Sequence, residues 1–495
     1  MGKVDSVNNA ENLKTKTVNS MIWKFLERIC AKMVSLIVSI FLARILFPED
    51  YSVVSIVFIF IEFADVFING GLNLSLIQKK DSDVVDYSTV LYTNIIIATV
   101  FYIALFFCAP LIANLYGSQL LIPVLRVMGV LLFINAFKSI ICAYVSNNMD
   151  FKKFFLATII GTVISGVVGI VLAKLGFGVW ALVAQQLTNS FIDSVLLFFS
   201  NKLRFKLVFS FSKLKGHFKY GWKLFVSSII STVYNESRPL IVGIKYTPTD
   251  LAYYNKGNQY PNLINSTVNS TMASVMFPAL SKLNKDPKAV LAGTRRYIKC
   301  SSFIMFPIMM GFAMVASNFV EIVLTSKWLP IVPYLQIFCF CHMFNLVQVG
   351  NGQAINAMGR TDITLILEII KKSSYAIVII VFVFVSTSPI VFAFSNILCT
   401  LIATAVNTIP NRKLLGYRYR LQIVDLLNNL FSTAVMCVAV YFVGYIAINK
   451  LLLLIIQILV GALVYVGVNV LIKNENLVYF YNILKSMIKR KKKQA

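Results

Sequence analysis

Residues 88–112 read STVLYTNIIIATVFYIALFFCAPLI, a run without one charged side chain. At ~1.5 Å per residue it outreaches the ~30 Å hydrocarbon core of a bilayer, with length left over for tilt. Thirteen further apolar stretches are also long enough to cross, several with charges inside them, at 20–46, 51–77, 120–146, 154–175, 178–200, 220–246, 250–280, 297–325, 330–357, 363–386, 389–410, 423–447 and 450–472. Hydrophobic residues make up 58% of the chain and charged residues 13%, and no stretch of soluble composition separates the spans. The expectation is an all-α integral membrane protein with about 14 transmembrane helices.

The formal charge of +26 would suggest nucleic acid in a soluble protein. Its distribution points to lipid instead. Basic residues crowd the tails and every second loop: Lys3, Lys14 and Lys16; Lys79 and Lys80; Lys152 and Lys153; Lys202 to Lys223; Lys282 to Lys299; Arg412 to Arg420; Lys489 to Lys493. The intervening loops hold few, among them Arg44, Lys174, Lys245, Lys327 and Lys450. The positive-inside rule then places both termini and the even loops in the cytoplasm, against anionic lipid headgroups. No nucleic-acid partner is implied. The first twenty residues are polar, and the first span is too long and too charged for a signal peptide, so it is expected to stay in the protein.

Several chemistries lack their residues. The eight cysteines are scattered with no CxxC pair, and His217 and His342 have no ligand partner at useful spacing, so neither a metal site nor a disulfide framework is expected. There is no Walker A sequence, and the short odd loops leave no room for an external catalytic domain. The chain reads as neither an ATPase nor an enzyme of another kind, and no cofactor is expected.

Two short turns reveal internal organisation. Phe47-Pro48-Glu49-Asp50 and Tyr246-Thr247-Pro248-Thr249-Asp250 share Pro-x-Asp at an offset of 200. The same offset aligns Glu62 with Asn262, Asp65 with Asn265 and Asn69 with Asn269. Six spans separate the copies, an even number, so the repeats are parallel. The expected division is an N-lobe at 1–200 (spans 1–6), a basic amphipathic linker at 201–219, a C-lobe at 220–415 (spans 7–12), and spans 13–14 with a basic tail at 416–495. In the linker, Leu203, Phe205, Leu207, Phe209 and Phe211 interleave with cations nearer to period two than 3.6.

Polar groups inside the spans mark the candidate site. Asn255, Asn258, Asn262, Asn265 and Asn269 lie 3 or 4 residues apart on one face of span 8. Span 2 repeats the design with Glu62, Asp65, Asn69 and Asn73, and span 10 adds Asn345, Gln348, Asn351, Gln353 and Asn356. Interhelical hydrogen bonding would account for one or two amides per helix. Five in register fit a wet cavity better. Intramembrane charges add Arg28 and Lys32 beside Glu27, Lys138, Glu236, Arg238, Lys256, Glu368, Lys371 and Lys372. Each costs at least ~2.5 kcal/mol near the bilayer centre unless it faces water or a partner. Arg28 could pair with Glu27 or snorkel, and Lys371 with Glu368. The excess of cations suggests an anionic substrate. Glu62, Asp65, Glu236 and Glu368 are candidates for coupling H+ or Na+.

The motifs Trp23-Lys24-Phe25-Leu26-Glu27-Arg28, Phe41-Leu42-Ala43-Arg44-Ile45-Leu46 with Pro48-Glu49-Asp50-Tyr51, and Ala64-Asp65-Val66-Phe67 resemble the Wzx-type polysaccharide flippases. So do Leu76-Ile77-Gln78-Lys79-Lys80, Leu175-Gly176-Phe177-Gly178-Val179-Trp180-Ala181-Leu182, Tyr253-Tyr254-Asn255-Lys256, Gln259-Tyr260-Pro261-Asn262 and Phe277-Pro278-Ala279-Leu280. The likeness spans nearly the whole chain and is nearest the branch for colanic-acid-type exopolysaccharide export. It implies a MATE-like arrangement, two six-helix lobes around a cavity that alternates access, plus two C-terminal helices. It also implies a bacterial inner-membrane protein that has polysaccharide polymerase or assembly machinery as a partner and works as a monomer. The implied substrate is an undecaprenyl-pyrophosphate-linked oligosaccharide, with cationic cavity residues holding the pyrophosphate. Lys256 stands where that family commonly has Arg, which keeps the charge and loses the bidentate fork. A lipid II flippase and a MATE-like multidrug exporter are the alternatives; a non-transporting scaffold would not need the polar faces.

Overall fold

The computed structural model describes residues 30–79, 82–148, 150–201, 203–281, 283, 286–482 and 485. Among them every regular element is helical. The chain forms two compact units that meet in sequence at Ala252 and Tyr253.

The first unit contains α1 (30–45), α2 (Pro48–Asn69), α3 (Leu72–Gln78), α4 (Val84–Tyr116), α5 (Leu121–Met128), α6 (Leu131–Asn147), α7 (Phe151–Lys174), α8 (Val179–Phe199) and α9 (Phe211–Lys245). The second holds most of α10 (Pro248–Ser281), then α11 (Pro287–Met314), α12 (Ala316–Val323), a 3-10 turn (Ser326–Ile331), α13 (Val332–Met343), α14 (Asn345–Ala357), α15 (Thr361–Val385), α16 (Pro389–Ala393), α17 (Ser395–Leu415), α18 (Tyr419–Val443) and α19 (Lys450–Leu471).

Ten of these helices or helix runs are long and apolar enough to cross a membrane. Some expected spans are broken: α5 and α6 together make span 4, and the 3-10 turn with α13 and α14 makes span 10. The long helices outside the ten are informative. α9 (35 residues), α10 (34 residues) and α15 (25 residues) span the required length but carry the charges and amides that the sequence singles out. A helix of that length and polarity needs water or protein partners along one side.

The paired turns share their chemistry. Pro48 and Pro248 each open a helix at its first positions, where a missing N–H costs nothing. Asp50 accepts from the Phe47 backbone N–H at 3.0 Å, and Asp250 accepts from the Thr247 N–H at 3.2 Å and its hydroxyl at 2.7 Å. The 200-residue offset thus reappears as the same N-terminal capping by the third helical residue.

Residues 203–210 form no regular element before α9 begins at Phe211. The linker runs along the start of α4: the Lys206 N–H donates to Ser88 Oγ at 3.0 Å, the Ser210 N–H donates to Thr89 Oγ1 at 3.1 Å, and Tyr92 donates to the Lys206 carbonyl at 3.0 Å. Leu203 is buried, and Phe205 packs on Phe137 and Phe198. Helix α9 takes in residues 211–219 as well as span 7, and it packs on α2, α3 and α4 inside the first unit.

Candidate functional site

In the first unit the acidic face of α2 meets three neighbours. Asp65 accepts from Asn135 Nδ2 of α6 at 2.7 Å. Asn73 donates to Asn69 at 2.9 Å, and Asn94 of α4 donates to Asn73 at 3.3 Å and to Ser139 at 3.4 Å. One turn along α6, Lys138 pairs with Asp193 of α8 at 2.5 Å, the acid being almost wholly buried. The result is a polar belt crossing α2, α3, α4, α6 and α8. Glu62 is exposed at the belt's end, Glu236 is half-buried on α9, and Lys32 is half-buried on α1. Arg238 is buried, donating to the Tyr234 hydroxyl at 2.9 Å with its guanidinium 5.3 Å from that ring's centre. Arg28 lies outside the described residues.

In the second unit the amide face of α10 is graded. Asn255 and Asn258 are half-buried, and Asn258 Oδ1 lies 2.9 Å from His342 Nε2 of α13. Asn262 is exposed, Asn265 is buried, and Asn269 is half-buried. Lys256 is buried with its ammonium 5.7 Å from the Trp328 ring, close enough for a cation–π contact. Lys371 forms an ion pair with Glu368 on α15, the intrahelical pairing that their spacing predicts. Lys372 of the same helix is half-buried.

The amides of span 10 divide differently. Asn351 is wholly buried, accepting from Asn411 Nδ2 at 2.7 Å and from Gln422 Nε2 at 3.1 Å, while Gln348 donates to Thr404 at 3.1 Å. For these residues interhelical hydrogen bonding accounts for the amides, and the cavity reading is not needed. Sequence reasoning missed the partners of its candidates: Asp193 for Lys138, Asn135 for Asp65, and His342 and Trp328 in the second unit. Asp193 had a signal, since an acid at residue 193 inside span 6 falls under the rule that flags Lys138. The other three are ordinary residues until the fold brings them to their partners.

Over residues 41–333 the chain matches the family model described as "Polysaccharide biosynthesis protein". The chain belongs to that family. Among curated relatives it is 22% identical over 422 residues to the lipopolysaccharide biosynthesis protein WzxC of Escherichia coli (strain K12), covering 84% of this chain and 85% of that one. It is 23% identical to the succinoglycan biosynthesis transport protein ExoT of Rhizobium meliloti (strain 1021), over 64% of each chain, so that match spans less than two thirds of the relative. Among solved structures the lipid II flippase MurJ in an inward closed conformation is similar with a TM-score of 0.73 at 18% identity, covering 94% of this chain and all of that one. An inward-facing multidrug resistance MATE family transporter of the MOP superfamily is similar with a TM-score of 0.60 at 15% identity, covering 79% and 94%. The fold is that of the MurJ and MATE transporters, and the protein is a multi-pass membrane protein.

Proposed function

We propose that this protein is a flippase that carries undecaprenyl-pyrophosphate-linked oligosaccharide from the cytoplasmic to the outer leaflet of a bacterial inner membrane, for surface polysaccharide synthesis. The observation that supports the reading is the polarity of three span-length helices in a MurJ-like fold: α10 carries a face of five asparagines beside Lys256, α9 carries Arg238 within its apolar part, and α15 carries Lys371 and Lys372. Amides suit sugar hydroxyls, and ammonium or guanidinium groups suit phosphate oxygens. Lys32, Arg238 and Lys256 are the proposed phosphate contacts among the described residues, with Arg28 beyond them. Lys138 and Lys371 are further candidates, paired with Asp193 and Glu368.

The polyprenyl tail stays in lipid while the headgroup passes a wet, cationic path by alternating access. With the inside negative, outward movement of two negative charges gains about 4–5 kcal/mol per 100 mV, at ~2.3 per charge. Uniport is therefore feasible, and Glu62, Asp65, Glu236 and Glu368 remain the candidate sites for H+ or Na+. The basic loops and both tails face the cytoplasm in this reading, and the protein acts as a monomeric transporter, not an enzyme, beside polysaccharide polymerase or other assembly machinery. A MATE-like exporter of cationic drugs would call for net negative charge along the path. A lipid II flippase would differ in substrate alone.

The test is flipping in liposomes containing the purified protein and a lipid-linked oligosaccharide with a fluorescent sugar. Loss of the inner-leaflet pool to an impermeant quencher, faster than in protein-free liposomes, is expected. A rate equal to the protein-free rate overturns the proposal, and faster flipping of lipid II than of the oligosaccharide favours the alternative.

A further inference from the structure

In the first unit a groove of about 580 Å³ opens between the end of α2, the middle of α4 and the start of α9. Its floor is aromatic: Phe67 lies 4.7 Å from Phe101 and 5.3 Å from Phe225, ring centre to ring centre. Phe218 and Trp222 form the α9 wall, and both are about half exposed, so the groove is open along its side. Lys215 is the charged residue of the lining.

The charge around the opening has a direction. On α9, Lys215, Lys219 and Lys223 recur every fourth residue and form a stripe beside the aromatic wall. Lys213 on the same helix is taken up by Asp83 and Asp86, while among the described residues Lys215 and Lys219 make no salt bridge. The Lys223 ammonium sits 5.9 Å from the Trp222 ring. An apolar slot with a tryptophan at its lip and unneutralised lysines above it matches a lipid at the membrane interface: chain in the slot, phosphate on the ammonium groups.

Apart from Lys215 and Thr93 the lining is apolar, which suits a lipid chain, and the lysine stripe beside it suits an anionic headgroup at the membrane interface. We propose that this groove binds one anionic phospholipid of the surrounding bilayer, its acyl chain between α4 and α9 and its phosphate on Lys215 and Lys219. The lipid then stands between α4 and α9 along the side that opens outward, at the point where the linker becomes helix.

Trp222 provides the readout, because brominated acyl chains quench only tryptophans they touch. The full-length protein is placed in phosphatidylcholine nanodiscs containing a few per cent of dibrominated phosphatidylglycerol, or the same fraction of dibrominated phosphatidylcholine. The difference between wild type and Trp222→Phe isolates the signal of interest. Quenching of Trp222 by the anionic lipid several-fold above that by the zwitterionic lipid is expected. Lys215→Glu with Lys219→Glu should bring the two to parity, and Lys215→Arg should keep the preference. Equal quenching by both lipids in the wild type overturns the proposal, as does a preference that survives the double charge reversal. Relief of quenching by polyprenyl phosphate equimolar with the protein, where the same amount of unlabelled phosphatidylglycerol gives none, would assign the groove to the transported lipid and overturn it too.

Discussion

His217 Nε2 lies 3.1 Å from Asp86 Oδ1, both side chains buried and 131 residues apart in sequence. A carboxylate only accepts, so this ring nitrogen carries the hydrogen. The other nitrogen is 2.8 Å from Ser75 Oγ on α3. Asp86 also holds Lys79 at 2.7 Å and Lys213 at 3.4 Å, and its carboxylate closes a capping box with Asp83 at the start of α4. One buried acid therefore ties α3, α4 and α9 together.

Removing Asp86 should be costly. Asp86→Ala strands a buried histidine between two lysines, a loss of about 3–5 kcal/mol for breaking such a pair. Lys213→Ala removes an exposed pair with Asp83 and should cost about 1 kcal/mol or less. Hydrogen bonding to Asp83 holds the Lys213 amine above its ordinary value. A raised amine contributes its stability fully below the unfolded value and loses it as pH climbs through the folded one, so no change between pH 6 and 9 is expected. Thermal unfolding of purified variants measures both. An Asp86→Ala protein that melts with the wild type would dissolve the three-helix tie.

Gly71 and Gly221 make the second contact between α9 and the α2–α3 break. A Cβ on Gly221 would stand 2.7 Å from the Gly71 carbonyl, and one on Gly71 would stand 2.2 Å from the Gly221 carbonyl oxygen. Both obstacles are backbone, which does not rotate aside. Gly71 also has φ +106°, where an L side chain is strained. Gly71→Ala should therefore lower the melting temperature more than Gly221→Ala, and both more than Gly216→Ala, whose Cβ would meet open space. The reverse order would rule out this backbone contact.

Lys138 and Asp193 form a self-neutralised pair. Lys138→Ala alone leaves a buried carboxylate and should destabilise by about 3–5 kcal/mol. Lys138→Met combined with Asp193→Leu should recover most of that stability and retain export of surface polysaccharide. Recovered stability with export abolished would instead make Lys138 a substrate contact.

The fold was legible wherever composition alone decides. Runs such as 88–112 are long and apolar enough to cross a bilayer, and the Pro-x-Asp turns at 48–50 and 248–250 announce two similarly capped helix starts. The interruptions were not legible. The Met128–Leu131 and Met343–Asn345 breaks fall inside continuous apolar runs, because hydropathy averages over a window and does not see a local change of helix. The polar residues were legible as a set, since any charge inside a span is conspicuous. Their roles were not, because pairs such as Asp65 with Asn135 or Asn258 with His342 join residues 70 and 84 apart. Periodicity reports which face a residue occupies, not what the fold sets opposite it.

The proposed phosphate contacts should respond to charge more than to shape. Lys32→Arg and Lys256→Arg should export normally, Ala at either position should lower export, and Glu should abolish it. Lys256 carries an additional expectation from its place against Trp328: Trp328→Leu should weaken the cation–π contact by about 1 kcal/mol and leave the charge intact. Surface polysaccharide in a transporter-deficient strain, with each variant at matched membrane levels, is the readout. Wild-type export by both Lys32→Glu and Lys256→Glu would eliminate the electrostatic mechanism.

The amide face of α10 separates packing from transport within one helix. Asn258 is engaged by His342, so Asn258→Leu strands a half-buried imidazole and should lower thermal stability by about 1–3 kcal/mol. Asn262, one turn further, is exposed, and among the described residues Leu there removes no internal hydrogen bond. If that face lines the path of a sugar headgroup, Asn262→Leu should melt with the wild type and fail to export. Asn262→Gln, which keeps the amide, should restore part of the export. An Asn262→Leu protein that exports at the wild-type rate would leave the amide face without a role in transport, whatever the outcome at Asn258.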